Sequence, residues 1–232
     1  MADRVALVSG ANRGIGLQVV RELADRGFVA VSGSRDGERG RAAVSPLVAA
    51  GLAVEVVTLD VTSDDSVAGA IAAIGERWGR LDVLVNNAAV HYDTGQHAST
   101  ADMTVVGEAL ETNVVGAWRL ARAAVPLIRA SGGGRIVNVS SESGSLASMG
   151  ASTPAYAVSK AALNALTRVL AAELRRDRIL VNSVCPGWVA TDMGGSGGRP
   201  IAEGAASVLW AVDLPDDGPT GGFFRDGQPV PW

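Results

Sequence analysis

The sequence predicts a single α/β domain built on a doubly wound parallel sheet of about seven strands with helices on both faces. Short β-branched segments alternate with longer segments rich in alanine and leucine. The strand segments are apolar throughout, which is typical of strands buried on both faces of a parallel sheet. A chain of 232 residues is long enough to bury one full core.

The predicted elements alternate along the whole sequence. Strands are expected at 5–9, 28–33, 54–59, 83–86, 135–140 and 180–184, with a short strand-like segment at 222–224. Helices are expected at 15–26, 38–50, 64–78, 101–128 (broken or bent), 155–175 and 201–211. The glycine-rich stretch 194–198 is interpreted as a flexible loop, because a helix follows it. Residues 1–232 therefore form one domain.

Composition and charge exclude several classes of protein. Hydrophobic residues make up 47% and charged residues 19% of the chain, as in folded globular proteins. A net charge of −4 favours neither nucleic acid nor an anionic membrane as a partner. The first residues lack the apolar region of a signal peptide, and the lone cysteine, Cys185, fits a reducing compartment. We expect a cytoplasmic protein, and two histidines predict no metal site.

A glycine-rich turn follows the first predicted strand, where residues 9–16 read S-G-A-N-R-G-I-G. Gly10 lets the chain leave the strand sharply, and Gly14 and Gly16 allow a phosphate to approach the first turn of the helix. Three glycines alone also fit an ordinary tight turn. The strand–turn–helix context favours a dinucleotide site.

Tyr156 and Lys160 are four residues apart on a predicted helix and therefore share one face. A tyrosine with a pKa near 10 exchanges its proton poorly at neutral pH. A neighbouring ammonium group is expected to lower that pKa, which would suit the phenol to donate a proton to a carbonyl oxygen.

The order of motifs resembles the short-chain dehydrogenase/reductase family, whose fold is of the Rossmann type. The glycine turn has the family's spacing, with Ser9 in the place of a threonine. It is followed by L-D-V at 59–61, V-N-N-A-A at 85–89, N-V-V-G at 113–116, S-S-E-S-G at 140–144, Y-A-V-S-K at 156–160 and P-G-W-V-A-T-D-M at 186–193. Several of these segments are similar to the carbonyl-reductase-like branch.

The resemblance implies a role for each matching residue. Asn113 would hold a water in a proton relay, Asp60 would bind the adenine amino group, and Lys160 would also bind the nicotinamide ribose. Ala89 departs from the family's glycine and is tolerable unless its φ is positive. The implied cofactor-binding residues are Gly10, Asn12, Arg13, Gly14, Ile15, Gly16, Arg35, Asp60, Val61, Asn87, Ala88, Ala89, Tyr156, Lys160, Pro186, Gly187, Val189 and Thr191.

Two serines compete for the role of holding the substrate carbonyl. Family spacing before the tyrosine selects Ser143, whereas the local S-S-x-x-G motif selects Ser141 at the end of the predicted strand. A connecting loop can lengthen by two residues without moving either end. We therefore prefer Ser141, keep Ser143 as the alternative, and expect Ser140 to point away from the cleft.

The choice of nicotinamide cofactor depends on the end of the second strand. The position of an NAD-binding carboxylate falls on Ser34, which is small and neutral. Arg35 and Arg13 together suit a 2′-phosphate, which favours NADP(H). Asp36 is the counterargument, because a slightly longer strand would place its carboxylate on the ribose of NAD.

The combined interpretation is an NADPH-dependent reductase of a ketone or aldehyde. The alternatives are a 3-oxoacyl-[acyl-carrier-protein] reductase, an NAD-dependent alcohol dehydrogenase and a catalytically silent nucleotide-sensing protein. Apolar residues around much of helix 155–175 predict a homodimer or homotetramer. A substrate lid is expected at about 191–205, with Trp188, Met149 and His91 near the pocket, and Cys185 is expected to be a buried core residue.

Overall fold

The fold is described here from a computed structural model that covers residues 4–232. The strands are β1 (Arg4–Ser9), β2 (Phe28–Ser34), β3 (Val54–Thr58), β4 (Val83–Asn86), β5 (Gly134–Val139), β6 (Ile179–Val184), β7 (Phe223–Arg225) and β8 (Gln228–Pro229). The helices are α1 (Gly14–Asp25), α2 (Gly37–Ala49), α3 (Asp64–Trp78), α4 (Met103–Leu110), α5 (Ala117–Ala130), α6 (Pro154–Leu174) and α7 (Ile201–Val212).

The strands form one sheet in the order β3-β2-β1-β4-β5-β6-β7-β8. All neighbours are parallel except β7 and β8, which form an antiparallel hairpin. The order reverses direction between β1 and β4, and α/β sheets bind ligands beyond the carboxyl ends of strands at such a point. The doubly wound fold is confirmed. The eighth strand was not predicted, because two residues that include Pro229 carry no recognisable strand pattern.

Alternate side chains of each strand enter two separate cores, one on each face of the sheet. In β1, Leu7 belongs to the core shared with α3, α5 and α6, whereas Ala6 and Val8 belong to the core shared with α1, α2 and α7. All three side chains are inaccessible to solvent. This burial on both faces explains why the strand segments are continuously apolar.

The long helical segment between β4 and β5 is broken, as the sequence predicted. A π-helical turn, Glu111–Gly116, separates α4 from α5. Such turns interrupt the regular hydrogen-bond ladder and commonly occur at functional sites. Here the turn carries Asn113, whose side chain is 1% exposed.

No helix within residues 4–232 is long and apolar enough to cross a membrane.

Candidate active site

The glycine turn after β1 lies against the loop that follows β4. Gly10 and Gly14 both adopt positive φ, at 63° and 56°, which explains the need for glycine at these positions. A Cβ atom on Gly16 would lie 2.5 Å from the side-chain amide nitrogen of Asn87. Gly16 therefore permits close packing with Asn87, whereas a Cβ on Gly14 would be in ordinary van der Waals contact with Thr191, at 3.5 Å from its Cγ2.

The N-terminus of α1 has features of an anion site. Arg13 is the N-cap residue and makes no side-chain capping bond, and the first turn contains no acidic residue. Helix N-terminal N–H groups without a side-chain cap attract phosphate groups. The turn that holds Asn12, Arg13, Gly14 and Ile15 therefore fits the pyrophosphate of a dinucleotide.

The loop after β4 is fastened to this turn through Ser9. The Ser9 hydroxyl accepts hydrogen bonds from the backbone N–H groups of Asn87, at 3.0 Å, and Ala88, at 3.1 Å. The Asn87 side chain donates to the carbonyl oxygens of Ser9 and Gly10. Ala89 is not among the residues with positive φ, so its methyl group is tolerated.

The ends of β2 and β3 bring Arg35 close to Asp60. Burial opposes ionisation of Asp60, but hydrogen bonds from Thr62 and the charge of Arg35 outweigh it and lower the pKa of the carboxyl. Asp36, the candidate ligand for the ribose of NAD, instead caps α2 by accepting from the N–H groups of Glu38 and Arg39. Arg35 is exposed and available to a phosphate.

Tyr156 lies in the first turn of α6 and is 8% exposed. Burial raises its pKa well above the usual value of a tyrosine, while a hydrogen bond with the Ser141 side chain acts in the opposite direction. The predicted lowering by Lys160 is therefore not seen. The physical reason is that burial dominates, and the ammonium group is directed elsewhere.

Lys160 is 2% exposed and is the only lysine in the sequence. Its Nζ donates to the carbonyl oxygen of Val139, at 2.7 Å, and lies 5.3 Å from the centre of the Tyr156 ring. Burial lowers the pKa of this amine to about 8. The amine is therefore mostly charged at neutral pH.

The turn after β5 places Ser141, not Ser143, beside Tyr156. The Ser141 hydroxyl interacts with Tyr156 and accepts the N–H of Ser143 at 3.2 Å. A Cβ on Gly144 would lie 2.6 Å from the carbonyl carbon of Lys160, so this glycine allows the turn to pack on α6. The Ser140 hydroxyl donates to Asn164 Oδ1 at 2.7 Å and is directed into α6, away from Tyr156.

Asn113 connects the π-helical turn to α6, the helix that carries Tyr156 and Lys160. Its side-chain nitrogen donates to Ser159 Oγ, at 2.9 Å, and to the carbonyl oxygen of Val90, at 3.2 Å. Ser159 Oγ in turn donates to the carbonyl oxygen of Tyr156 at 2.7 Å. The side chain of Asn113 is thus engaged with protein groups, and its partner Ser159 directly precedes Lys160 on α6.

The loop after β6 passes over the glycine turn. Thr191 lies next to Gly14, and Asp192 forms an exposed ion pair with Arg13. The Val189 side chain is buried against α7, so only its backbone can face a cofactor. Gly187 adopts a φ of 76° directly after Pro186, which turns the chain towards this edge of the sheet.

The segment predicted as a lid, at about 191–205, consists of a loop and the start of a helix. Residues 201–205 form the start of α7, so the loop itself ends at Pro200. Trp188 is 62% exposed and its indole N–H donates to the carbonyl oxygen of Gly194 at 2.6 Å. A Cβ on Gly197 would lie 3.1 Å from the same ring, which explains the glycines of the loop. Met149 is partly buried in the loop before α6.

Cys185 is 3% exposed, as expected for a core residue, but it also lies beside the site. Its sulfur accepts the N–H groups of Glu142 and Gly187. Burial raises the pKa of the thiol, which keeps it neutral. The sulfur therefore acts as a hydrogen-bond acceptor that joins the turn after β5 to the loop after β6.

Sequence reasoning missed three residues that support the site. Asp93 accepts the N–H groups of Ala155 and Tyr156, and Arg225 donates from Nη1 to both carboxylate oxygens of Glu142. Both contacts join residues more than 60 positions apart. No local pattern could have indicated them. His91, predicted near the pocket, lines a cavity beside Asp93 and Ala155 and also pairs with Glu108 at 2.5 Å.

Two cavities lie near the ends of the sheet strands, and Tyr156 lines neither of them. One of about 330 Å³ lies between the loop after β4 and α4, beside Asp93 and Ala155. The other, of about 360 Å³, lies at the opposite edge of the sheet, around Arg135 and Asp216. Ser141, Tyr156 and Lys160 stand at the carboxyl edge, where doubly wound sheets bind ligands.

Comparison with known proteins identifies the family. The family model described as short chain dehydrogenase matches residues 4–200. Carbonyl reductase (NADPH) 1 of Sus scrofa is 34% identical over a 281-residue alignment that covers 99% of this chain and 94% of that protein. (+)-Neomenthol dehydrogenase of Capsicum annuum is 31% identical, over an alignment that covers 96% of this chain and 96% of that protein.

Solved structures agree with the sequence relatives. The NADPH-bound carbonyl reductase from chicken fatty liver superimposes with a TM-score of 0.89 at 28% identity, over the full length of both chains. The carbonyl reductase Sniffer of D. melanogaster gives the same TM-score and identity. With these matches across nearly its whole length, the chain belongs to the short-chain dehydrogenase/reductase family and is carbonyl-reductase-like.

Proposed function

We propose that this protein is an NADPH-dependent reductase that converts a ketone or aldehyde to an alcohol. The observation that carries the proposal is the convergence of Ser141, Tyr156 and Lys160 at the carboxyl edge of the sheet. The N-terminus of α1, which has no side-chain cap, opens at the same edge. Relatives named as NADPH carbonyl reductases support the substrate class and the cofactor.

The residues present fit NADP(H). The turn at Gly14 would receive the pyrophosphate, and Asp60 with the backbone of Val61 would flank the adenine. Arg35 and Arg13 would bind the 2′-phosphate through charge-assisted hydrogen bonds. The Arg13–Asp192 ion pair is 67% and 75% exposed, so it is weak, and the guanidinium can exchange a carboxylate for a phosphate.

When bound, NADPH supplies the hydride that adds to the carbonyl carbon. The Ser141 hydroxyl donates a hydrogen bond to the carbonyl oxygen and stabilises the negative charge that develops there. The Tyr156 phenol donates its proton to the same oxygen, which completes the alcohol. A raised pKa keeps this phenol protonated at neutral pH and ready to act as the acid in reduction.

Lys160 supports the proton transfer in two ways. Its positive charge, present below a pKa of about 8, favours the phenolate that Tyr156 becomes after donation. Its Nζ can also donate to ribose hydroxyl groups, since an ammonium group has three N–H bonds and Val139 occupies one. Asn113 would position a water that returns a proton towards Lys160, and a backbone group would hold this water because the side chain is bonded to Ser159 and Val90.

A panel of carbonyl compounds tests the function. We expect the purified protein to oxidise NADPH faster than NADH with at least one aliphatic ketone, aromatic ketone, aldehyde or 3-oxoacyl thioester. Tyr156→Phe should reduce kcat by at least about 100-fold while NADPH still binds. Ser148→Ala, on the exposed loop before α6, serves as the control. Absence of turnover with every compound would contradict the proposal.

We also propose a homodimer that pairs through α6. Five apolar residues at heptad spacing form a stripe on this helix; four of them are exposed, with Val158 at 51% and Val169 at 60%, and Ala162 is partly buried. The other members of the stripe are Ala162, Ala165 and Ala172. Repeats of this spacing pack helices against each other. Trp118 on α5 adds a further exposed apolar side chain, at 52%.

Sedimentation velocity tests the dimer. Val169→Glu should convert the protein to monomers, because a carboxylate in an apolar helix contact is costly to bury. Val48→Glu on α2 is the matched control, since Val48 is also 51% exposed but lies off the stripe. Monomeric wild-type protein at micromolar concentration would refute the interface.

We further propose a cytoplasmic location, which the single buried cysteine supports.

A further inference from the structure

The loop after β4 is fixed to the catalytic helix by a carboxylate from a distant part of the chain. Asp93 Oδ2 accepts the N–H of Ala155 at 2.9 Å, and Oδ1 accepts the N–H of Tyr156 at 3.1 Å. The local N-cap residue, Thr153, makes no side-chain capping bond and adopts a φ of 51°. Asp93 thus supplies the cap that α6 does not provide for itself.

The same loop is fastened on its other side. His91 adopts a φ of 57°, a conformation that a non-glycine residue rarely holds without support. Its ring nitrogen contacts Glu108 of α4 at 2.5 Å. The loop is therefore attached to α4 at His91 and to α6 at Asp93, and Tyr92 is the one residue between these two anchors.

Tyr92 lies directly on the phenol ring of Tyr156. The ring centres are 5.1 Å apart and the planes meet at 87°, which is the edge-to-face geometry that aromatic pairs prefer. Tyr92 is 39% exposed while Tyr156 is 8% exposed. Tyr92 thus shields one side of the proton donor and exposes its own outer surface to solvent.

We propose that Asp93 is a positioning residue for carbonyl reduction, which clamps the loop after β4 to the first turn of α6 and so holds Tyr92 against Tyr156. The inference rests on the function proposed above, because the consequence concerns the proton donor of that reaction. Asp93 touches neither substrate nor the reacting atoms; it acts through the orientation of two tyrosine rings.

The two tyrosines are the only ones in the sequence, which gives a direct spectroscopic test. In Tyr92→Phe, every change of tyrosinate absorbance reports Tyr156 alone. The phenylalanine keeps the ring contact, so the pKa of Tyr156 should stay well above 10.0, the usual value for a tyrosine. Adding Asp93→Ala should release the loop, hydrate Tyr156 and lower its midpoint by at least about one pH unit.

Asp102 provides a matched control. Its carboxylate also caps a helix, since it accepts the N–H of Thr104 at the start of α4 at 2.8 Å. Asp102→Ala in the Tyr92→Phe background should leave the titration of Tyr156 unchanged. Far-ultraviolet circular dichroism at each pH separates ionisation in the folded protein from ionisation on unfolding.

Steady-state kinetics gives the second readout, with whichever carbonyl of the panel is reduced fastest. Asp93→Ala should lower kcat/KM by on the order of ten-fold, mainly through kcat. Asp93→Asn should lie between wild type and alanine, because its amide offers one acceptor oxygen where the carboxylate offers two. NADPH affinity should not change.

The titration needs no substrate, so it remains decisive even if no carbonyl is turned over. An equal shift of the Tyr156 midpoint in Asp93→Ala and Asp102→Ala would overturn the positioning role. A selective shift in Asp93→Ala would support it. Absence of any carbonyl reduction by the wild-type protein would contradict the proposed function instead.

Discussion

Replacing the buried lysine tests how much its buried charge lowers the free energy of unfolding. Lys160 is 2% exposed, and burial lowers its pKa from 10.5 in the unfolded chain to about 8 in the native protein. Lys160→Met removes the charge and keeps a side chain of similar length. The effect of the charge should appear as a difference in how the stability of the two proteins depends on pH.

The sign and size follow from proton linkage. Between pH 8 and 10.5 the native protein binds fewer protons at Lys160 than the unfolded chain does. The free energy of unfolding of wild type therefore rises with pH in this window, and below it the full cost of the buried charge is present. From pH 7 to about 9.5 the titration of Lys160 raises the free energy of unfolding of wild type by about 2 kcal/mol. Lys160→Met lacks this contribution.

Urea denaturation at both pH values measures the difference. Cys185 and Tyr156 also titrate at alkaline pH, but they are present in both proteins and cancel in the comparison. Arg168→Met, an exposed cation two turns further along α6, should retain the wild-type pH dependence. If wild type and Lys160→Met change in parallel within about 0.5 kcal/mol, the buried-charge reasoning is refuted.

Three further predictions concern the serine beside Tyr156, the glycine turn and the arginine at the end of β2. Ser141→Ala should lower kcat by about 100-fold in the carbonyl assay, whereas Ser143→Ala should lower it less than about three-fold. Gly16→Ala should destabilise the fold by about 1–3 kcal/mol in urea, because its methyl group would lie 2.5 Å from a side-chain amide. Gly69→Ala, in the middle of α3 with nothing within 4 Å, should instead stabilise it by about 0.5–1 kcal/mol. Arg35→Ala should raise KM for NADPH by about ten-fold and leave KM for NADH unchanged; equal effects on both cofactors would contradict a 2′-phosphate contact.

Much of the fold could be predicted because its signals are local. The buried strands β1 and β4 contain the apolar runs V-A-L-V and V-L-V, and each helix between the strands has its own periodicity. The glycine turn could also be predicted from the sequence, since Gly10 and Gly14 need a positive φ that other residues avoid. The choice of Ser141 over Ser143 rested on the strand end, and the structure places Ser141 beside Tyr156.

The missed features depend on contacts between distant segments. Asp93 looks like an ordinary loop residue, and only the folded chain brings it to the first turn of α6. Arg225 reaches Glu142 across 83 positions. The pKa of Tyr156 was predicted to fall because its neighbour at i+4 is charged, but burial, which the sequence does not reveal, raises it.

The two ends of the sheet resist the addition of further strands. At one end β8 has only two residues, and Pro229 has no N–H to offer a neighbouring chain. At the other end β3 has five residues, and its Glu55 pairs with Arg77 of α3. Open sheet edges are the usual starting points of aggregation, and short, charged or proline-containing edge strands suppress it. Copies of this chain are thus discouraged from joining edge to edge, which leaves the helical faces for specific association.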